Sequence, residues 1–263
     1  MRQQKAKLSS HLSLGMITSR SMLLKQGFTS HSIDNHLKSG ALEKIVKGIY
    51  MRQESRLSWQ GVVSPLPNMI NAPVTVGGLT ALELQGFAQY LSLSTKRKVH
   101  LYSPSPCPAW LKSVFNQIDD AELHWHRTAR LWVNGWPENP MINEQIWQEY
   151  MMISVSASEQ AVFEILALLP NEISFEHAEQ LIQGLTQLSP KKLVLLLNSC
   201  HSVKVKRLFF WLADRFDYPW CRRLDVNDYD LGSGKRVIAK AGKLDRRYGI
   251  TVPQEFYREN AGG

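Results

Sequence analysis

The sequence predicts an α+β protein: an N-terminal winged helix-turn-helix, then a larger mixed α/β C-terminal region with a helical bundle and a terminal β-hairpin. Three patterns predict it. Within residues 1–56, glycine-stopped helical stretches run directly into a glycine-centred hairpin. Over 57–157, alternating and helical stretches are mixed. From Ser158, serine-capped helices follow one another until a glycine-rich basic close. The expected division is therefore 1–56 and 57–263, the second part changing from mixed α/β to helical between 157 and 158.

In order along the chain, KAKLSSHLSL suits a short first helix. ITSRSMLLKQGF suits a second, with Ser19 as N-cap, Met22 and Leu23 inward, and Gly27 as the stop. Ser30 is expected to cap a third helix, HSIDNHLKS, in which Ile33 and Leu37 at i and i+4 make one narrow apolar stripe. His31, Ser32, Asp34, Asn35, His36 and Lys38 are polar and expected to face outward, and Gly40 ends the helix. ALEKIVKGIYMR then sets apolar runs on either side of Lys47 and Gly48, and glycine supplies the positive φ that a tight hairpin turn requires. In a module of this kind the third helix lies in the major groove, where Asn, Ser, His and Lys bond base edges, and the wing rests on phosphate. A small helical cap with a solvated outer face has the same local pattern. Asp34 counts against DNA, because phosphate repels a carboxylate unless it accepts from cytosine N4.

Charge is distributed unevenly. Residues 1–56 carry ten basic and three acidic side chains, 57–189 six and twelve, and 190–263 fifteen and eight, so two basic ends flank an acidic middle. Basic ends favour a polyanion such as nucleic acid, although a solvated basic surface has the same counts. Cys107, Cys200 and Cys221 are too few and too scattered for a disulfide framework, which points to a reducing cytoplasm. No signal-peptide-like apolar run opens the chain, and nowhere do about 18 uncharged apolar residues run together, so secretion and membrane spanning are disfavoured.

GGLTALELQGFAQYL reads as helix, KRKVHLYS and ELHWHR as strands, and YMMISVS as a buried strand. SPSPCP is a loop, its prolines lacking backbone donors at alternate positions. His124 and His126 share one strand face, a conceivable metal pair for which the sequence places no third ligand; a satisfied or exposed pair is favoured. Ser158, Ser174 and Ser189 with Pro190 open three helices, and VKVKRLFFWLADRF is a fourth with Lys204, Lys206 and Arg207 near its start. LGSGKR contains GSGK but not a phosphate loop, since Tyr229 and Arg236 stand where glycine and Ser or Thr are required. A turn through Gly232 and Gly234 is expected instead, leading into a hairpin over 235–252. There Lys235, Arg236, Lys240, Lys243, Arg246 and Arg247 would form a basic face, for a nucleic acid, for a protein, or for solvent alone.

Three blocks carry a family resemblance: MITSRSMLLKQGFTSHSIDNHLKSGALEKIVKGIY near the start, GGLTALELQGFAQYL at 77–91, and VKRLFFWLADRFDYPW with DLGSGKRVIAKAGKLDRRYGITVP near the end. In that order they resemble the AbiEi family, the antitoxin and transcriptional-regulator half of type IV toxin–antitoxin pairs. The resemblance implies an N-terminal domain that binds inverted repeats of operator DNA and represses its own operon. It also implies a C-terminal region that counteracts a nucleotidyltransferase-like toxin without requiring a stable complex. Carried over by position, it implies Ser30, His31, Ser32, Asn35, His36 and Lys38 on base edges, with Arg20, Lys44, Lys47 and Arg52 on phosphate. No cofactor or metal is implied, and no enzyme activity.

Other classes find less support in the residues. There is no G-x-S-x-G, H-E-x-x-H or Walker A motif and no cysteine cluster. Asp225, Asp228 and Asp230 with Lys240 leave open a nuclease-like metal site, and the acidic middle leaves open a protein that blocks its toxin by direct contact. A general winged-helix regulator without an antidote role has the same N-terminal module.

Overall fold

The computed structural model describes residues 8–87, 96–133, 142–146, 151–216 and 218–257. Residues 5–7 of the expected first helix, 88–91 of GGLTALELQGFAQYL and Tyr150 of YMMISVS lie outside these. The architecture is α+β, and contacts divide the chain into two units. The first comprises Met1–Val76, Ser92–His126 and Asn143–Val155; the second comprises Gly77–Leu91, Arg127–Ile142 and Ser156–Gly263.

In the first unit, helical residues 8–11 lead to a short strand, β1 (Ile17–Ser19). Ser19 then caps α1 (Arg20–Lys25), its hydroxyl accepting from Met22 N at 3.1 Å. Ile17 and Thr18, just ahead of this cap, pair with β3. After the turn at Gly27 comes α2 (Ser30–Lys38), followed by β2 (Leu42–Val46) and β3 (Ile49–Arg52). The three strands form an antiparallel sheet in the order β1-β3-β2, with Tyr50 opposite Thr18 on one side and Lys44 on the other. Gly48, at φ 83°, makes the β2–β3 turn, a conformation that costs other residues a steric clash. Leu8, Leu12, Leu23, Phe28, Ile33, Leu42 and Tyr50 form the core beneath the helices. Each fully buried Leu or Ile side chain there contributes about 1.5–3 kcal/mol.

The same unit continues through α3 (Trp59–Val63) and α4 (Leu66–Ile70) into a five-stranded sheet. Its strands are β4 (Thr75–Val76), β5 (Arg97–Ser103), β6 (Ala121–Arg127), β7 (Ile142–Ile146) and β8 (Met152–Ser156), in the order β6-β5-β4-β8-β7. The SPSPCP loop leads into a helix, Ala109–Phe115, and just beyond it Gln117 Nε2 donates to Ile45 O at 2.8 Å. The hairpin is thereby tied to the α/β part. A second tie is closer: a Cβ on Gly61 would sit 1.8 Å from Gly15 O, so only glycine lets these backbones meet.

The second unit is helical. Labelling the first unit's helix at 109–115 as α6 and Gly78–Leu84 as α5, the bundle consists of α7 (Ser158–Leu168), α8 (Phe175–Gln183), α9 (Pro190–Ser199) and α10 (Val203–Ala213). Ser174 caps as expected, accepting from His177 N at 3.2 Å, and Pro190 takes the first helical turn of α9. Ser158 does not cap; its hydroxyl donates to Gln85 Oε1 at 2.6 Å, and Ala157 holds the cap position. Phe163 of α7 stacks on Phe209 of α10 with ring centroids 5.0 Å apart, and Trp132 packs beside it at 5.8 Å. Such ring pairs contribute about 0.5–1.5 kcal/mol beyond their burial.

The closing hairpin is shorter than expected. Only β9 (Lys243–Asp245) and β10 (Ile250–Val252) form its ladder. Residues 236–239 run along β10 instead, through Arg236 N to Gly249 O at 2.8 Å and Ala239 N to Thr251 O at 3.1 Å.

Candidate nucleic-acid interface

Thr29, not Ser30, caps α2: its Oγ1 accepts from Ser32 N at 3.1 Å. Both carry a hydroxyl, and the backbone extends at Thr29 (φ −83°, ψ 157°) while Ser30 is already helical. Ile33 is fully buried and Leu37 partly so, which leaves Ser30, His31 and Lys38 exposed and Ser32 and Asn35 half-buried. His31, Asn35 and Lys38 fall at i, i+4 and i+7, one row along the helix. Next to α2 stands the β2–β3 hairpin, with Lys44 and Lys47 exposed. No ion pair holds either lysine among the described residues.

The outward placement of His36 needs correcting, and two of the cations expected on phosphate already have partners within the chain. His36 is 3% exposed and lies edge-on to Phe28, ring centroids 6.0 Å apart, with Nε2 buried and unpaired. It falls three residues after Ile33 and so joins the inward stripe with Leu37; burial pushes its imidazole below the ordinary value. Arg20 is engaged by Asp34, NH1 to Oδ1 at 2.9 Å and NH2 to Oδ2 at 3.4 Å. Arg52 is mostly buried along its side chain, donating to Glu54 Oε2 at 3.1 Å and to Leu12 O at 3.5 Å.

The C-terminal cations Lys235, Arg236, Lys240, Lys243, Arg246 and Arg247 are all exposed. They are not equivalent. Arg247 is paired with Asp214 at 2.6 Å, and Lys243 Nζ lies 5.2 Å from the Tyr257 ring centroid. The residue that organises this region is Arg207, 4% exposed, whose guanidinium donates to Leu231 O (2.7 Å), Gly232 O (2.9 Å), Gly234 O (2.6 Å) and Gly249 O (3.1 Å). The GSGK turn thus aims carbonyls at a cation, the opposite polarity to a phosphate loop, which aims amides at an anion. A signal was present in the sequence: a charged pair, Lys206–Arg207, at the heart of an apolar helix.

Asp225 Oδ1 accepts from Asn227 N at 2.9 Å and Asp230 Oδ1 from Gly232 N at 2.7 Å, so both carboxylates close local turns. Among the described residues, Asp225, Asp228 and Asp230 do not converge on one point. His124 and His126 gain a neighbour in His100 of β5. The rings of His100 and His126 are 7° from parallel, with centroids 5.1 Å and facing nitrogens 2.9 Å apart. At 2.9 Å the facing nitrogens stand within N–H···N hydrogen-bond distance. Burial, with lesser repulsion from His126 and His124, pushes His100 down to about 2.

Sequence reasoning missed Glu164, fully buried inside apolar α7. It accepts from Gly78 N at 2.7 Å, Gln160 Nε2 at 2.9 Å and Ser156 Oγ at 3.1 Å. These bonds attach α7 to the first turn of α5, and burial pushes the carboxyl up to about 7 against them. Among the described residues no helix is long and apolar enough to cross a membrane.

Two family models together match most of the chain. A family model described as "Transcriptional regulator, AbiEi antitoxin, Type IV TA system" matches residues 96–253, and one described as "Transcriptional regulator, AbiEi antitoxin N-terminal domain" matches 1–93. No curated protein matches the chain. The crystal structure of the RV2827C protein from Mycobacterium tuberculosis is similar in fold, with a TM-score of 0.50 at 14% identity, covering 94% of this chain and 88% of that one.

Proposed function

The chain belongs to the AbiEi family, the transcriptional-regulator antitoxins of type IV toxin–antitoxin systems, and from there we propose that it is the DNA-binding autorepressor of its own operon. Residues 1–56 act as a winged helix-turn-helix that reads inverted repeats. Residues 57–263, mixed α/β to 157 and helical beyond, are the region that counteracts a nucleotidyltransferase-like toxin. The observation that carries the reading is the exposed row of α2 beside a hairpin whose outward lysines have no ion-pair partners among the described residues. Helix, strand order β1-β3-β2 and turn together suit a reading helix in the major groove and a wing on phosphate.

In this reading Ser30, His31, Ser32, Asn35 and Lys38 meet base edges, and Lys44 and Lys47 meet phosphate. His36 supports the helix from inside. Lys235, Arg236, Lys240, Lys243 and Arg246 add a second cationic surface for flanking duplex.

Binding of the full chain to its own upstream duplex, titrated over a range of salt, tests this. Asn35→Ala is expected to relax sequence choice by about 1–3 kcal/mol per lost base contact. Lys47→Ala is expected to weaken all sequences alike and to lower the slope of log K against log salt by about 0.9. Equal affinity for upstream and unrelated duplex at every salt concentration would overturn the proposal. The antidote role is tested by rescue of toxin-expressing cells, with protection expected whether or not the two proteins co-purify.

A further inference from the structure

On the premise of that DNA-reading role, we propose that Asp34 reads a cytosine in the operator and that Arg20 positions it, so that the two form one specificity element. Asp34 lies in the middle of the outward face of α2, three residues after His31 and four before Lys38. Roughly half of its side chain is exposed, yet both carboxylate oxygens are engaged by one guanidinium, at 2.9 and 3.4 Å. Arg20 is itself fixed from two sides. It opens α1 with its amide donating to Gly48 O in the hairpin turn at 3.3 Å, and its side chain also meets the Tyr50 phenol of β3. One residue therefore links α1, the reading helix and the hairpin, and the carboxylate it holds is oriented before any DNA arrives.

What such a carboxylate can read follows from its chemistry. An ionised Asp only accepts, and it has about four lone-pair sites, of which Arg20 takes two. Guanine and thymine present acceptors in the major groove and repel it; adenine's amine is flanked by the N7 acceptor. Cytosine N4–H₂ is the donor that suits it. The repulsion between an acid and phosphate, which argues against Asp34 in the sequence alone, is offset because Arg20 makes the pair neutral. Arg20 also holds the Asp34 carboxyl below the usual carboxylate range, so it stays ionised at neutral pH.

The test uses the full chain, its upstream duplex and a set of duplexes in which each C·G pair of a half-site is exchanged in turn. Asp34→Ala is expected to abolish discrimination at one C·G pair, from about 5- to 150-fold to near unity, leaving the other positions unchanged. Asp34→Asn, close in shape, is expected to move the preference at that pair toward adenine, and it serves if the alanine variant does not fold. Arg20→Met leaves a bare carboxylate and is expected to weaken every duplex; Arg20→Met with Asp34→Ala is expected to return to the level of Asp34→Ala alone. Full discrimination retained at every C·G pair by both Asp34 variants would make the pair a helix–helix tie and overturn the inference. So would an Arg20→Met loss that the double variant does not rescue and that lowers the salt slope by about 0.9, the mark of a phosphate contact. In either case the wild-type chain still selects its upstream duplex, whereas a wild type without that selectivity overturns the DNA-reading role together with this inference.

Discussion

Glu164→Gln is expected to remove a pH dependence of stability that the buried carboxyl creates. In the folded chain burial holds this proton up to about 7, against an ordinary value of 4.5. Below 4.5 both folded and unfolded chains keep the proton, and Glu164 contributes no penalty. As pH rises from 4.5 toward 7, the unfolded chain releases the proton first, so folding must retain a proton or bury a charge, and stability falls. At about 1.4 kcal/mol per unit, the loss between about pH 5 and about pH 8 is roughly 2–3 kcal/mol. Glutamine keeps the shape and a carbonyl for Gly78 N, but has no proton to lose. Urea unfolding of the full chain at the two pH values, wild type against variant, isolates the effect, since every other titrating group is common to both. The variant is expected to gain roughly 2–3 kcal/mol on wild type between the acid and the alkaline condition. An unchanged difference would mean that Glu164 titrates normally, and the account of its burial would be wrong.

Gly61→Ala places a methyl group 1.8 Å from Gly15 O, a backbone atom that cannot swing aside. A loss of at least about 3 kcal/mol in thermal or chemical unfolding is expected. Arg207→Met removes four donors from carbonyls around residues 231–249, with a cost of about 3 kcal/mol or more. Hydrogen exchange is expected to quicken there first, and an unchanged exchange pattern would count against the cage. His36→Leu replaces an unpaired buried nitrogen with a hydrocarbon; stability is expected to hold or rise by up to about 1 kcal/mol, with DNA affinity unchanged. A specific loss of operator choice in that variant would restore His36 to the reading face.

Strands KRKVHLYS and ELHWHR were legible because V-H-L and L-H-W-H alternate within them; they appear as Arg97–Ser103 and Ala121–Arg127. β1 was not, because three residues are too few to show a period, and only pairing with β3 makes them a strand. The charge assignments failed for a related reason. Exposed lysines at 44 and 47 follow from turn and alternation, but Arg20 meets an acid fourteen residues away and Arg52 a carbonyl forty residues away.

Short-range rules therefore account for much of this protein: hydroxyl caps at Ser19 and Ser174, proline opening α9, and glycine at the hairpin turn. Each acts within a few bonds of the residue that causes it, so neighbours along the chain suffice to read it. The burial of His36, the pairing of Arg20 with Asp34, the carbonyl cage around Arg207 and the carboxyl of Glu164 depend on segments brought together only by folding. A polar side chain looks the same in the sequence whether it will face water, a groove or a buried partner, and packing alone separates these fates.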